Sequence, residues 1–442
     1  MHWHQLLSSQ RIGQKQQLSS ESSRSAFEQD YDRIIFSHPF RKLQDKTQVH
    51  PLSAHDFVHT RLTHSLEVSS VGRSLGKRVG EAILQRHPEL TPDFSLFDFG
   101  AIVAAASLAH DLGNPPFGHA GEDAISDFFL HRSTGQSFKE KVSEAEWHDL
   151  IKFEGNAQGF RILNKNQYGL KLSFATLGAF TKYPCPSLFP QRDKSKRSQK
   201  KFGFFETEKK IFNEVAQQLG LINVTQNVFS RHPLAFLVEA ADDICYSIID
   251  LEDGCSLGLV SYEEAKTFFE NVITKNKSKL GKLQHLNSKQ EKIGYLRALA
   301  IGDLMDECCS LFLDSEKEIL SGQFDLALAD HCPSREALSQ IIKISREKIY
   351  RARQVVEIEA AGHEVLPGLL EEFLTTGRNF MGKKSSRKYS NLALLLPEDI
   401  TWNIQQASSN TYTMVRNIVD FVSGLTDGHA ISLFRKIKGF AV

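Results

Sequence analysis

The stretch AIVAAASLAHDLGNPPFGHAGEDA, Ala101 to Ala124, ends an apolar helical run in His110-Asp111 and places a second histidine, His119, beyond a tight turn. A neutral imidazole beside a carboxylate suits a borderline-to-hard divalent metal, with the remaining ligands drawn from elsewhere in the chain. The alternative is a His and an Asp that merely cap a helix end. Small apolar residues before His110 allow close packing, and Gly113-Asn114-Pro115-Pro116 stops the helix, leaving two polar groups that are costly to bury alone. His119 and Glu122 stand one helical turn apart. A carboxylate so placed holds an imidazole tautomer and raises its basicity for acid-base work, or else forms a surface ion pair.

Three further groupings carry chemistry. Arg61 and His64 share one helix face, where a guanidinium can hold an anion beside a metal-bound imidazole, and salt-bridging is the plainer use of the arginine. His55 and His59 form a rival i,i+4 pair, but no acid follows them in the HExxH manner. Asp242, Tyr246 and Asp250 lie at i, i+4 and i+8 in PLAFLVEAADDICYSIIDLEDG, Pro233 to Gly254. Such a carboxylate stripe on an otherwise apolar helix requires cations, hydrogen bonds or metal, structural salt bridges being the competing use. Asp243 is the adjacent alternative, off that line. Asn156, in a short turn, offers an amide ligand. Lys182 precedes and Lys201 lies in QRDKSKRSQKKFGFF, a basic run that reads as a solvated face, a polyphosphate-binding flap or, more weakly, a single-stranded nucleic-acid contact.

The elements that must position these groups are helices. HDFVHTRLTHSLEVSSVGRSLGKRVGEAIL is a long amphipathic helix with Leu62, Leu66, Val71, Leu75 and Val79 at helical intervals. Pro233 to Gly254 is a second, starting at proline and ending at glycine. Residues Met1 to Ser25 read as a polar arm, Ser133 to His148 as a polar loop, and the chain stays helical beyond Gly254, with basic interruptions at Lys275 to Lys292 and Lys383 to Lys388. The expected organisation is the arm (1–25), a core (26–260) and a further helical region (261–442) packed on it. With 442 residues, 41% of them hydrophobic, the chain can bury a large core, and its zero formal charge gives no global signal for nucleic acid or membrane. Six cysteines without CxxC pairs fit free thiols in a reducing, cytoplasmic setting, and neither a signal core nor a run of about 20 apolar residues for a membrane span is apparent.

Jointly, His64, His110-Asp111 and Asp242 make the H…HD…D pattern of the HD-domain metal phosphohydrolases. More closely, RSAFEQDYDRIIFSHPFRKLQDKTQVHPL, HTRLTHSLEVSSVGRSLG, AHDLGNPPFGHAGEDA, FEGNAQGFRIL, KFGFFETEK, LVEAADDICYSIIDLEDG and DFVSGLTDGHA resemble the deoxyguanosine triphosphate triphosphohydrolase (dGTPase-like) family across nearly the whole chain. That resemblance implies an all-α fold with an HD-domain helical core and an additional C-terminal helical region. It also implies hydrolysis of a deoxynucleoside triphosphate (dNTP) to deoxynucleoside and inorganic triphosphate. His64, His110, Asp111 and Asp242 would hold a divalent ion (Mg, Mn or similar), and His119 and Glu122 would be the catalytic pair. Arg61, Lys182 and Lys201 would hold the triphosphate, and Asn156 would contact the triphosphate or the leaving side. Gln48 and Asp250 would read the 3′-hydroxyl, and Tyr246 would pack on the sugar where a 2′-hydroxyl would clash. Relatives of this kind form hexamers or smaller homo-oligomers, and an activating nucleotide at a second site is left open. Two rivals stand beside this reading: a nucleoside monophosphatase or phosphodiesterase with the same metal set, and a non-catalytic nucleotide or single-strand-binding assembly.

Overall fold

The computed structural model describes residues 1–13, 24–49, 59–165, 168–382, 386–406 and 410–440. In these residues all regular structure is helical except for one antiparallel ribbon, Asn223–Thr225 with Val228–Phe229. The fold is all-α, as expected. At its centre lies helix Leu96–Ala109, buried without interruption from Ile102 to Ala109. Asp98 starts it by accepting the Ser95 backbone N–H at 2.9 Å.

Helix Arg61–Arg86 lies along this central helix, and glycines set the distance between them. Gly72, Gly76 and Gly80 share one face at four-residue spacing; a Cβ at Gly76 would stand 2.6 Å from the Phe99 carbonyl oxygen, and one at Gly72 would stand 2.5 Å from Ser107 Oγ. Only glycine admits so close an approach. The buried face is therefore built from these glycines with Val68, Leu75, Val79 and Ile83. Leu62, Leu66 and Val71, which the apolar spacing places on it, are only partly buried.

Helix Pro233–Ser256 packs on both. Proline fills its first turn, where no N–H is needed, and His232 caps it: Nδ1 accepts from Leu234 N at 3.1 Å, while Nε2 donates to Leu6 O at 2.9 Å. These three helices, with Phe174–Phe180 and Lys289–Asp314, bury the first apolar cluster. A second cluster joins Gly118–His131 to Arg353–Met381 and Thr411–Ser423. The clusters meet at the turn between Ala109 and Gly118, which carries His110 and Asp111.

Neither cluster divides near residue 260. The first runs from Trp3 to Ile349 and the second from Phe117 to Ala430. The start of the chain also differs from a polar arm: Trp3, Leu6 and Leu7 are buried, Trp3 donates to Glu316 Oε1 at 3.0 Å, and the buried Arg11 pairs with Asp30. Three apolar anchors and a paired arginine outweigh the surrounding polar residues. Within Ser133 to His148 lie helix Ser133–Gln136 and, toward its end, the start of helix Glu144–Ile151, rather than a loop. Ser143 and Glu146 form a reciprocal capping box there, and Trp147 and Leu150 reach the second cluster. The six cysteines are unpaired. No described helix is long and apolar enough to cross a membrane.

Candidate metal centre and anion-lined cavity

The close packing of the glycine-faced helix Arg61–Arg86 on Leu96–Ala109 brings His64 and His110 together, with ring centroids 5.3 Å apart. Asp242, from helix Pro233–Ser256, supplies the third side: its Oδ1 lies 3.2 Å from His64 Nε2 and 3.5 Å from His110 Nε2. Asp111 Oδ1 is also 3.5 Å from His110 Nε2. His64, His110 and Asp111 each offer one ligand atom within 4.8 Å of the others. The orientation of His110 is fixed from behind, because its Nδ1 lies 2.7 Å from Ser107 O, which accepts its proton. The Nε2 lone pair thus faces the carboxylates, the tautomer that metal ligation needs. Asp111 is braced on both oxygens, by Arg61 Nη1 at 2.9 Å and by Asn114 Nδ2 at 2.5 Å.

Charge follows from this geometry. Burial raises the Asp242 carboxyl pKa, but His110 and His64 outweigh it and hold the group well below the ordinary carboxylate range. Burial likewise disfavours a charged His64, yet Asp242 and Asp111 lift it above the usual histidine value. Two imidazoles and two carboxylates gathered this closely form a donor set suited to a divalent cation.

His119 stands on the first turn of Gly118–His131 at the rim of a cavity of about 510 Å³. Its pKa is held below the usual value by the enclosing wall and then by Lys201 and Arg61. No hydrogen bond joins it to Glu122. Glu122 instead accepts from Gly155 N at 2.6 Å and lies 3.5 Å from Lys201 Nζ. Glu154, not singled out from the sequence, shares that ammonium at 3.1 Å. Burial pushes both carboxyls upward, against the pull of Lys201. Glu122 thus belongs to a Glu122–Lys201–Glu154 group beside His119. Gly155 makes this packing feasible, since a Cβ there would lie 2.8 Å from Glu122 Oε1.

Gln48, Arg61, Asn156, Lys182, Lys201 and Tyr246 all line the same cavity. Gln48 Oε1 and Arg61 Nε are buried without a hydrogen-bond partner among the described residues. Asn156 donates to Glu154 Oε1 at 2.6 Å. Lys182 is less free than a flap lysine, since it lies 3.2 Å from Glu239, a buried carboxylate also held by Arg197 and Arg231. Asp250 sits behind the wall and accepts from the Tyr350 hydroxyl at 2.7 Å. Tyr246 leans on the same Tyr350 ring, with centroids 5.6 Å apart. Tyr350 follows a π-helical turn, Ser345–Ile349, whose extra residue offsets the phenol toward the cavity. An irregular turn of this kind leaves no period in the sequence.

The basic run folds inward. Arg192 donates to the carbonyls of Pro186, Ser187, Gln199 and Lys201, and Ser198 and Gln199 are buried, while Lys194, Lys196 and Lys200 stay exposed. Of the rival histidine pair, His55 lies outside the described residues. His59 is clamped between Asp253 at 2.7 Å and Glu67 at 3.1 Å, and these carboxylates overcome burial to raise its pKa to about 10. Asp243 faces Arg197 at 3.8 Å and borders a second cavity of about 900 Å³, lined by Arg335, Lys343, Arg346 and Arg351.

Residues 61–159 match the HD domain family, and residues 333–436 match the phosphohydrolase-associated domain. The chain is 41% identical to a deoxyguanosinetriphosphate triphosphohydrolase-like protein of Synechocystis sp. over the full length of both. It is 38% identical to a protein of the same description from Pseudomonas aeruginosa, over 99% of each chain. A deoxyguanosinetriphosphate triphosphohydrolase of Yersinia pestis is 31% identical over 93% of each.

Proposed function

The chain belongs to the deoxyguanosinetriphosphate triphosphohydrolase-like family of HD-domain phosphohydrolases, and from that premise we propose that it cleaves a dNTP into deoxynucleoside and inorganic triphosphate. The observation that carries the reading is the convergence of His110, Asp111 and Asp242, backed by His64, at one cavity that also presents Arg61, Lys182 and Lys201. In this reading the four ligands hold a divalent ion, Mg or Mn in type, which supplies Lewis acidity and makes water a competent nucleophile near neutral pH.

The remaining work falls to the protein. Arg61 and the two lysines bind the triphosphate as charge-assisted donors, with Asn156 at its edge. Gln48, with an unpartnered buried oxygen, accepts from a sugar hydroxyl. Asp250, oriented by Tyr350, reads the 3′-hydroxyl, and Tyr246 packs where a 2′-hydroxyl would stand. Water's oxygen bonds to the α-phosphorus, releasing a proton to solvent, as the bond to the 5′-oxygen breaks, and that leaving oxygen needs a proton of its own. His119 is the donor. Its pKa is held low by burial and then by Lys201 and Arg61, against the pull of Glu154 and Asp111, and a bound triphosphate adds negative charge beside both cations, raising the imidazole toward the range of a useful acid. Glu122 and Glu154 hold Lys201 in place.

A second, activating nucleotide would take the cavity beyond Asp243 and Tyr246 that Arg335, Lys343, Arg346 and Arg351 line. The deciding assay incubates the metal-replete protein with four dNTPs and four NTPs in ¹⁸O water and separates the products. Labelled inorganic triphosphate with unlabelled deoxynucleoside is expected. Pyrophosphate, monophosphate or label in the 5′-hydroxyl overturns the proposal.

A further inference from the structure

We propose that Asp427, on the first turn of helix Asp427–Lys438, is a positioning residue that sets the catalytic turn from the far end of the chain. The inference rests on the reaction proposed above for its kinetic consequence, and on geometry for the clamp itself.

The turn that delivers His119 is strained. Phe117, immediately before Gly118–His131, adopts φ 65° and ψ 17°, the left-handed region that a bulky side chain rarely enters. Such a conformation persists only where its surroundings over-determine it. Two contacts do so. The Phe117 ring and Cβ press against Gly362, where an added Cβ would stand 3.0 Å away. The Phe117 backbone N–H donates to Asp427 Oδ1 at 3.1 Å.

The other oxygen of the same carboxylate holds the segment bearing Gln48. Thr47 N donates to Asp427 Oδ2 at 3.1 Å. A single side chain, only 5% exposed, therefore accepts one backbone N–H from each of the segments that carry His119 and Gln48. Neighbouring bonds tie the same three strands of chain. Lys46 Nζ donates to Asn114 O and to Ser423 O at 3.1 Å, Thr426 Oγ1 donates to Asp45 at 2.5 Å, and Lys42 Nζ donates to Gly424 O at 2.8 Å. Asn114 in turn braces Asp111. Among these links Asp427 is distinctive because each of its two oxygens takes a backbone N–H from a different segment lining the cavity. Asparagine can reproduce one acceptor but presents N–H₂ to the second donor.

The test uses the full chain with Asp427→Ala, Asp427→Asn and, as a neighbouring control, the exposed His429→Ala. Hydrogen exchange followed by mass spectrometry is expected to show the Phe117 and Thr47 amides losing protection together in Asp427→Ala, with helix Arg61–Arg86 and bound-metal content unchanged. Turnover number is expected to fall at least tenfold in Asp427→Ala, less in Asp427→Asn, and not at all in His429→Ala. In a His119→Ala background Asp427→Ala is expected to add little, because the two act through one step. Unchanged exchange at Phe117 and Thr47, or equal losses in both backgrounds, overturns the inference. If Asp427→Ala does not fold, Asp427→Asn carries the same measurements. Absence of dNTP hydrolysis in the parent protein defeats the proposed reaction while the exchange result still decides the clamp.

Discussion

The Tyr350 hydroxyl donates to Asp250 Oδ2 across 2.7 Å, linking two residues a hundred positions apart. One oxygen of the carboxylate assigned to the sugar is thus already occupied and its orientation fixed. Tyr350→Phe is expected to raise KM for a dNTP roughly tenfold, the scale of one hydrogen bond to a charged group. Turnover of the 3′-deoxy analogue, which lacks the hydroxyl that Asp250 would bind, is expected to be insensitive to the same substitution. Parallel steady-state assays on the two nucleotides make the comparison, and equal sensitivity removes Asp250 from sugar recognition.

Metal content distinguishes Asp242 from Asp243. His64→Ala, Asp111→Ala and Asp242→Ala are each expected to bring bound divalent metal to background, since each removes a donor from one small cluster. Asp243→Ala is expected to retain it, because that carboxylate faces Arg197. Elemental analysis after gel filtration reads the outcome, and metal retained by Asp242→Ala would falsify the ligand assignment.

His119→Ala is expected to leave dNTP affinity nearly unchanged while turnover falls roughly 10²–10⁴-fold, the range for loss of a general acid. Single-turnover kinetics with equilibrium binding separates the two quantities. A large loss of binding instead makes His119 a phosphate ligand.

His232 makes stability depend on acid. It is fully buried, and burial lowers its pKa from 6.5 to about 4. Between those values the unfolded chain binds the proton and the folded chain does not, so this contribution is complete above about 6.5 and drains away as pH falls toward 4. The loss is roughly 3 kcal/mol. His232→Asn keeps a capping acceptor and should flatten that part of the pH profile, as measured by urea unfolding at several pH values. An unchanged profile assigns the acid sensitivity elsewhere.

Gly76→Ala is expected to cost about 1–3 kcal/mol, the usual range for overpacking, because its Cβ would lie 2.6 Å from the Phe99 carbonyl oxygen. It is also expected to weaken metal binding by moving His64 away from His110. Thermal unfolding with metal titration checks both, and an unperturbed protein would mean that the helices yield freely.

The grouping of His64, His110, Asp111 and Asp242 was legible because these residues are few, chemically distinctive and placed at helix ends or on helix stripes. The partners of those residues were not. Glu122 is one helical turn from His119, so periodicity pairs them, but the Gly155 amide and Lys201 compete for the carboxylate and win. Tyr350 and Glu239 act through tertiary contacts that no local spacing reports. Two signals were present but outweighed by composition. Ser143 and Glu146 mark a helix start inside a polar stretch, and Trp3, Leu6 and Leu7 anchor a polar segment. Apolar spacing also favoured the leucine side of Arg61–Arg86, although the glycine side makes the closest approach, because a hydrophobic pattern gives little weight to residues without side chains.

That glycine face changes what sets the reach between His64 and His110. Where leucines separate two helices, their spacing shifts whenever a rotamer changes or a core residue is replaced by a larger one. Here main chain rests on main chain near Gly76, so the gauge between the imidazoles is cut by bonded geometry. The surrounding apolar shell can be repacked, in laboratory evolution or by natural drift, without retuning the interval that an ion must bridge.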